Sequence, residues 1–187
     1  EIRVAVEEAA ERGKYVAAHS YTALSTRRAV ECGVRTIEHG NFVDAPTARF
    51  MAERGTYMVP TLICYTESYD NADQYGLTAV VKQKLKEVNS AGLQMLEICR
   101  DAGVRMGFGT DLMGEMIVAQ SQEFTLRREV LPAMDILKSA TSMNAEILGQ
   151  TGRLGCIRPG ALADLLVVDG NPVDDLTRLQ NNGNNLL

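Results

Sequence analysis

Two short segments decide the fold predicted from this sequence: YVAAHSYT at residues 15–22 and RTIEHGNF at residues 35–42. Each is a short apolar run that leads into a histidine, His19 in the first and His39 in the second, and the chain has no other histidine. A helical pattern closed by a glycine precedes each run. This alternation predicts a parallel α/β sheet whose adjacent strands end on an imidazole.

The same alternation continues along the chain. Helical patterns cover residues 1–12, 22–32, 47–54, 79–101, 119–130 and 133–148. Further strands are predicted at 57–63 and 104–110, and the polar stretch 65–78 is predicted as a loop. Asp44 is expected to cap a helix that stops at Gly55. Four βα units are too few to close an eight-stranded barrel, so the chain forms either an open sheet or a part of something larger.

The character of the sequence changes after Gly149. Glycine, short β runs and turn signals then dominate, and we predict a barrel-type unit at 1–150 and a separate segment at 151–187. Residues 152–175 are expected to form a small β appendage, with LADLLVVD (162–169) as a buried strand. The polar tail NNGNNLL is expected to be frayed.

Composition excludes several classes of partner. The chain is 45% hydrophobic and 23% charged, values typical of a globular protein of one domain with at most a small appendage. Its net charge of -5, without a basic block, predicts no nucleic acid and no membrane partner. The four cysteines are far apart and form no CxxC motif, which favours free thiols and a cytoplasmic location. Because the first residue is Glu1, we expect the natural start, and any signal, to lie upstream.

Three candidate ligands stand at predicted strand ends: His19, His39 and, after the run VRMGFGT, Asp111. Functional groups of parallel α/β folds gather at the carboxyl ends of strands, so we expect the three to converge. Neutral imidazoles with a carboxylate suit Zn²⁺, which lowers the pKa of a bound water to about 7. Asp111 could then move a proton from water to a leaving amine. The alternatives are structural histidines and an aspartate that only caps a helix.

Five motifs in this order resemble the carboxyl-terminal half of an amidohydrolase-superfamily enzyme. They are AHSYT (18–22), TIEHGNFVD (36–44), GFGTD (107–111), SATSMNAEILG (139–149) and GCIRPGALADLLVVDGNP (155–172). The likeness is to the Xaa-Pro dipeptidase (prolidase-like) and imidazolonepropionase-like branch, and it covers residues 1–178.

The resemblance implies strands five to eight of a (β/α)₈ barrel, plus part of a small β-sandwich. His19 would close strand five, His39 strand six and Asp111 strand eight. In the family, the two histidines hold one divalent metal, most often zinc, and the aspartate binds a second. The HxH of strand one and the lysine of strand four have no counterpart in this sequence. We therefore expect the missing N-terminal half as a partner, an inactive and association-prone chain without it, and a homo-oligomer when complete.

The resemblance also suggests a substrate. Tyr21 matches a tyrosine that donates a hydrogen bond to the oxyanion, and Arg27 matches the position that receives a substrate α-carboxylate. This implies a metal-dependent hydrolase acting on the amide bond of a dipeptide or an N-acyl amino acid. The alternatives are a rim aromatic for Tyr21, and a solvated helix face for Arg27 with Arg28 as its competitor. For the whole chain they are a cyclic-amide hydrolase resembling imidazolonepropionase or a non-catalytic half-barrel scaffold.

Two further expectations are structural. Four methionines have the spacing of core residues, namely Met51, Met58, Met95 and Met106. Asn144, in the helix after the last strand, is expected to tie that helix to the loops near the site.

Overall fold

A parallel three-stranded sheet lies at the centre of the computed structural model, which describes residues 1–180. In spatial order the strands are β1 (Ala17–Thr22), β2 (Thr36–Phe42) and β3 (Tyr57–Val59). The helices are α1 (Ile2–Glu11), α2 (Ala23–Glu31), α3 (Ala45–Arg54), α4 (Leu62–Asp70), α5 (Ala79–Asp101), α6 (Gln122–Arg127), α7 (Ala133–Lys138) and α8 (Asn144–Ile147). The predicted parallel α/β arrangement is therefore confirmed for this part of the chain. None of the helices in residues 1–180 combines the length and the apolar character that a membrane span requires.

A fourth segment joins the sheet beside β3 through a single parallel bridge between Met58 and Met106. The Met58 N–H donates to the Arg105 carbonyl at 3.0 Å, and the Gly107 N–H donates to the Met58 carbonyl at 2.8 Å. The segment has the position of the fourth strand predicted at 104–110, but it is not a regular strand.

Glycine and one side-chain amide explain this irregular segment. A Cβ atom on Gly107 would lie 2.8 Å from Asn144 Oδ1 and 2.6 Å from Ile147 Cδ1, so only glycine allows α8 to approach so closely. The Asn144 amide accepts from the Phe108 N–H and donates to the Phe108 carbonyl, both at 2.9 Å. The amide thus replaces a neighbouring strand, and the expected tie between the last helix and the loop is confirmed.

The core lies between the sheet and helices α2, α3 and α5. Its fully buried members include Ile37, Ala48, Met51, Met58, Met95, Leu96 and Cys99, with Met106 partly buried against them. The prediction that the methionines fill the core is confirmed. All four cysteines are free thiols, as expected, and burial raises the pKa of Cys99 to about 12.

Two boundaries predicted after β2 are wrong. The strand predicted at 57–63 stops at Val59, because Pro60 has no N–H to donate to a neighbouring strand. The loop predicted at 65–78 instead begins with most of α4, whose first turn, from Leu62 to Tyr65, is buried. Further along, the helical stretches predicted at 119–130 and 133–148 are broken into short helices, with a π turn at Ser139–Met143.

The β appendage expected at 152–175 is absent from the described residues, which form no regular strand in this range. Leu165, Leu166 and Val167, expected to be buried, are 59%, 72% and 59% exposed. A strand needs backbone partners, and the sheet of β1 to β3 offers none to this segment. The division at residue 150 stays a prediction, and the tail at 181–187 lies outside the described residues.

Asp44 supplies a test of the fold, because its carboxylate accepts the Thr47 N–H at 2.9 Å and caps α3 as predicted. Asp44→Ala should lower the free energy of unfolding by about 0.5–2 kcal/mol at neutral pH. The hydrogen bonds from Thr47 hold the pKa of Asp44 below its ordinary 3.8, so the carboxylate stabilises the fold above that pH. This stabilisation is lost as the pH falls through the lowered pKa.

Denaturant titration of both proteins at several pH values measures the effect. The difference between wild type and Asp44→Ala should shrink below about pH 4, whereas Asp44→Asn, which caps without ionising, should keep its stability there. A difference that stays constant down to about pH 2 would contradict the role of the ionised cap.

Candidate functional site

The two histidines meet at the carboxyl ends of β1 and β2. His19 Nδ1 lies 2.7 Å from His39 Nε2, and His39 Nε2 lies 3.9 Å from Asp111 Oδ2. The register pairs His19 with Glu38 and Ser20 with His39, so strict alternation would place the two imidazoles on opposite faces of the sheet. They meet because the left-handed backbone of His39 breaks this alternation. The structure therefore brings together the three residues predicted as metal ligands.

The backbone is strained at two of these three residues. Among the described non-glycine residues, His39 and Asp111 alone have positive φ, at 75° and 51°. Such conformations cost about 1–3 kcal/mol each and persist where the surroundings enforce them, often at functional sites. The strain coincides with two of the three side chains that the sequence places at strand ends, and it supports a functional role for them.

The His39 ring is fixed on all sides. It is 2% exposed, its Nδ1 lies 2.8 Å from Thr61 Oγ1, and the Tyr21 ring stacks on it at 4.9 Å between centroids. Burial lowers the pKa of His39 and favours the neutral imidazole. With its proton on Nδ1 and donated to Thr61, His39 turns the Nε2 lone pair towards His19 and Asp111.

These donors suit a divalent metal such as zinc, although they do not complete a site. Within residues 1–180, no group of three or more His, Cys, Asp or Glu side chains is arranged to hold an ion. Two nitrogens bound to one tetrahedral Zn²⁺ would lie about 3.3 Å apart, so the imidazoles need to separate by only about half an ångström. Asp111 lies at the rim, with its side chain 49% exposed. The donor types fit a metal, and the described residues would supply only part of a ligand set.

A second phenol, which was not predicted from the sequence, lies edge-on to the rings of Tyr21 and His39. Tyr65 on α4 is 8% exposed and donates to the Tyr21 hydroxyl at 2.9 Å. Burial raises the pKa of Tyr65 well above its usual range, so it stays protonated. The residue was missed because this stretch was assigned to a loop, although the apolar run PTLIC before it indicates a buried turn of helix.

Arg27 is not brought to the imidazole pair. It lies on α2, where its Nε is 3.2 Å from a Glu31 carboxylate oxygen and its guanidinium stacks over the Phe50 ring at 4.4 Å. Its side chain is 47% exposed. The contacts within the described residues direct Arg27 towards α3, and its role as a carboxylate receptor stays a prediction.

A buried ion pair behind the site was also missed. Arg127 and Glu123 are fully buried, with 2.6 Å between Arg127 Nε and Glu123 Oε1. Arg127 also donates to the carbonyls of Pro60 and Gly107, at 2.6 and 2.7 Å. The Glu123–Arg127 pair thus joins the turn after β3 to the segment that leads to Asp111. In a sequence, two charged residues on a short helix are typical of a solvent-exposed face. No local pattern therefore indicates that this pair is buried.

Glu38 is a further carboxyl group near the histidines. It stands opposite His19 across the β1–β2 pair and accepts a hydrogen bond from the Thr36 hydroxyl at 2.6 Å. Burial raises its pKa, although the Thr36 hydrogen bond opposes this shift. The side chain therefore adds a weakly acidic group beside His19, on the same face of the sheet.

Several known proteins resemble the chain, among them a prolidase, a dipeptidase and an ochratoxinase. A prolidase solved in complex with N-methylphosphonate-L-proline is 46% identical over 100% of this chain, with a TM-score of 0.96. A Xaa-Pro dipeptidase with methionine bound in its active site is 32% identical over 100% of the chain, with a TM-score of 0.86. The ochratoxinase of Aspergillus niger is 27% identical over 181 residues, 96% of this chain.

The chain spans less than half the length of each of these relatives: 46% of the prolidase, 48% of the dipeptidase and 38% of the ochratoxinase. Its α/β arrangement matches about half of each solved chain, as a part of a barrel would. A family model described as the amidohydrolase family matches residues 1–186. The chain therefore belongs to the amidohydrolase family, whose members generally use divalent metals.

Proposed function

We propose that this chain supplies strands five to eight of a (β/α)₈ barrel in a metal-dependent hydrolase. The substrate is a dipeptide or an N-acyl amino acid, and the bond cleaved is its amide C–N bond. The observation that carries the proposal is the convergence of His19, His39 and Asp111 at one end of the sheet, within 2.7 and 3.9 Å of each other. The likeness to a prolidase and a Xaa-Pro dipeptidase supports the same reaction class.

His19 and His39 would hold the divalent ion through Nδ1 and Nε2, with Asp111 as a further ligand or as the group that handles protons. When bound, such an ion supplies Lewis acidity, which lowers the pKa of water and polarises a carbonyl. The other ligands of the family, the HxH of strand one and the lysine of strand four, have no counterpart in this chain. They would come from the other half of the barrel. Thr61 contributes by fixing the His39 ring from behind.

Asp111 is the proton carrier of the proposed reaction. Its half-exposed carboxylate lies beside His39 and can reach a water that enters from solvent. It accepts a proton from the attacking water and then delivers that proton to the leaving nitrogen, so that the amine departs neutral.

Tyr21 is the proposed donor to the oxyanion. Because the Tyr65 hydroxyl donates to the Tyr21 oxygen, the hydrogen of Tyr21 is free to point towards a substrate oxygen. A hydrogen bond accepted by a hydroxyl strengthens the one that it donates. Tyr65 is therefore a positioning residue that acts through Tyr21.

The substrate class rests on the ligands of two relatives and on Arg27. Both N-methylphosphonate-L-proline and methionine are amino-acid derivatives or amino acids, which carry an α-carboxylate. A guanidinium grips a carboxylate with two parallel hydrogen bonds. For Arg27 to serve in this way, it has to leave Glu31 and Phe50 when substrate binds.

The metal assignment is tested in a chimera in which this chain replaces the matching part of a prolidase relative. His19→Ala and His39→Ala should each lower the affinity for zinc more than about ten-fold, since even second-shell partners contribute that much. Lys86→Ala, on the exposed face of α5, is the matched control and should leave zinc affinity unchanged. Equal zinc content in all variants, measured by elemental analysis, would refute the assignment and favour a non-catalytic scaffold.

The tyrosine pair is tested by kinetics in the same chimera. Tyr21→Phe should lower kcat by about 10²–10³-fold, the loss seen when an oxyanion donor is removed. Tyr65→Phe should lower kcat less, with KM nearly unchanged. In a Tyr21→Phe background, Tyr65→Phe should cost almost nothing further, because its effect passes through Tyr21. An undiminished effect of Tyr65→Phe in that background would show that the two phenols act independently.

Arg27 is tested with paired substrates, a dipeptide and the same dipeptide with an amidated carboxyl end. Arg27→Met should raise KM for the free dipeptide by about ten-fold or more and should leave KM for the amide unchanged. Arg28→Met, one residue along the same helix, is the control. A larger loss in Arg28→Met would transfer the role to that neighbour. An unchanged KM for both substrates in Arg27→Met would contradict the carboxylate role and favour a cyclic amide.

A further inference from the structure

A cavity of 460 Å³ opens at the amino ends of the strands. Its lining includes Arg35 and Tyr57, at the starts of β2 and β3, and Arg105, just before the Met106 bridge. Arg35 and His39 are separated by about 13 Å along β2. The cavity therefore lies at the opposite end of the sheet from the imidazole pair, and the proposed hydrolysis makes no use of it.

The lining carries an excess of positive charge. Four cationic side chains contribute to it, Lys14, Arg35, Arg54 and Arg105, and none of the lining residues is acidic. Glu146, just outside, pairs with Arg105 and accepts a hydrogen bond from the Tyr57 hydroxyl at 2.7 Å. Within residues 1–180, the other three cations form no ion pair.

The Arg35 side chain is held in place by several contacts, but one of its donors has no hydrogen-bond partner within residues 1–180. Its guanidinium stacks over the rings of Tyr15 and Tyr57, at 5.2 and 5.5 Å, and its Nη2 donates to the Glu146 carbonyl at 2.9 Å. Its Nε is buried without a hydrogen-bond partner in the described part of the chain. A buried donor without a partner is costly and commonly marks the place of an ion or water.

We propose that this cavity is an anion-binding site, in which Arg35 binds a carboxylate or phosphate group with support from Lys14 and Arg54. The two rings hold the guanidinium plane in one orientation, and a planar guanidinium matches the oxygens of either group. The cavity volume lies within the range of about 300–1,000 Å³ found for small-molecule sites. The anion is either a free small molecule or an acidic side chain of polypeptide beyond the described residues.

The test is a titration of the 187-residue chain with inorganic phosphate at constant ionic strength. NMR signals of the Arg35 Nε–H and of the Tyr15 and Tyr57 rings should shift and saturate, whereas chloride should have no saturable effect. Arg35→Met should weaken phosphate binding about ten-fold or more. Arg54 is exposed, and its replacement leaves the stacking of Arg35 on Tyr15 and Tyr57 intact. Arg54→Met should therefore weaken phosphate binding by a smaller factor.

Arg49→Met is the matched control, because Arg49 is exposed on α3 and is not part of the lining. It should leave phosphate binding unchanged. Shifts that do not saturate, or that are as large in Arg35→Met and Arg54→Met as in wild type, would overturn the proposal.

The chimera separates the two sources of the anion. If phosphate still shifts the Arg35 signal there, the site takes a free anion. If that signal already stands at its phosphate-bound position and phosphate no longer moves it, an acidic side chain occupies the site. An Arg35 signal that matches the unbound chain and ignores phosphate would count against both sources and overturn the proposal.

Discussion

The left-handed backbone at His39 is the constraint on which the candidate site depends. Side chains alternate along a strand and the register pairs His19 with Glu38, so a regular β2 would send the His39 ring to the opposite face of the sheet from His19. The left-handed backbone of His39 and Gly40 ends the regular part of β2 and directs the buried ring towards its partner. A Cβ atom on Gly40 would clash with the end of the buried Met58 side chain, so the glycine suits both the local bend and the packing of Met58.

Where the sheet becomes irregular, hydrogen bonds from side chains replace those between strands. The segment that leads to Asp111 has one bridge to β3. Arg127 bonds its Gly107 carbonyl, and the Asn144 amide bonds the N–H and the carbonyl of Phe108. A buried charge is tolerated only when it is paired and hydrogen-bonded, as Arg127 is with Glu123 and two carbonyls. The position of Asp111 therefore depends on helices that follow it in the chain, whereas the two histidines are positioned by their own strands.

Most of the first hundred residues could be predicted from local patterns. The helix–glycine–strand alternation identifies β1 and β2, the bounds 79–101 coincide with α5, and Asp44 and Gly55 end α3 as expected. What failed depends on distant partners. The helical start of the stretch 65–78 forms because the first turn of α4 is buried against residues far along the chain, such as Glu123. Tyr65, Thr61 and the Glu123–Arg127 pair were missed because their roles also depend on distant partners. LADLLVVD has the composition of a strand, but no strand in the described residues lies beside it.

The Glu123–Arg127 pair affects the order in which the parts of the candidate site form during synthesis. Arg127 reaches the Pro60 carbonyl across 67 residues, and Asn144 reaches Phe108 across 36. A ribosome delivers β1, β2 and β3 well before either side chain emerges, and domains start to fold as they are made. The imidazole pair can thus form in the nascent chain, whereas Asp111 is positioned only after α6 and α8 have been synthesised. Synthesis itself separates the imidazole pair from the carboxylate in time.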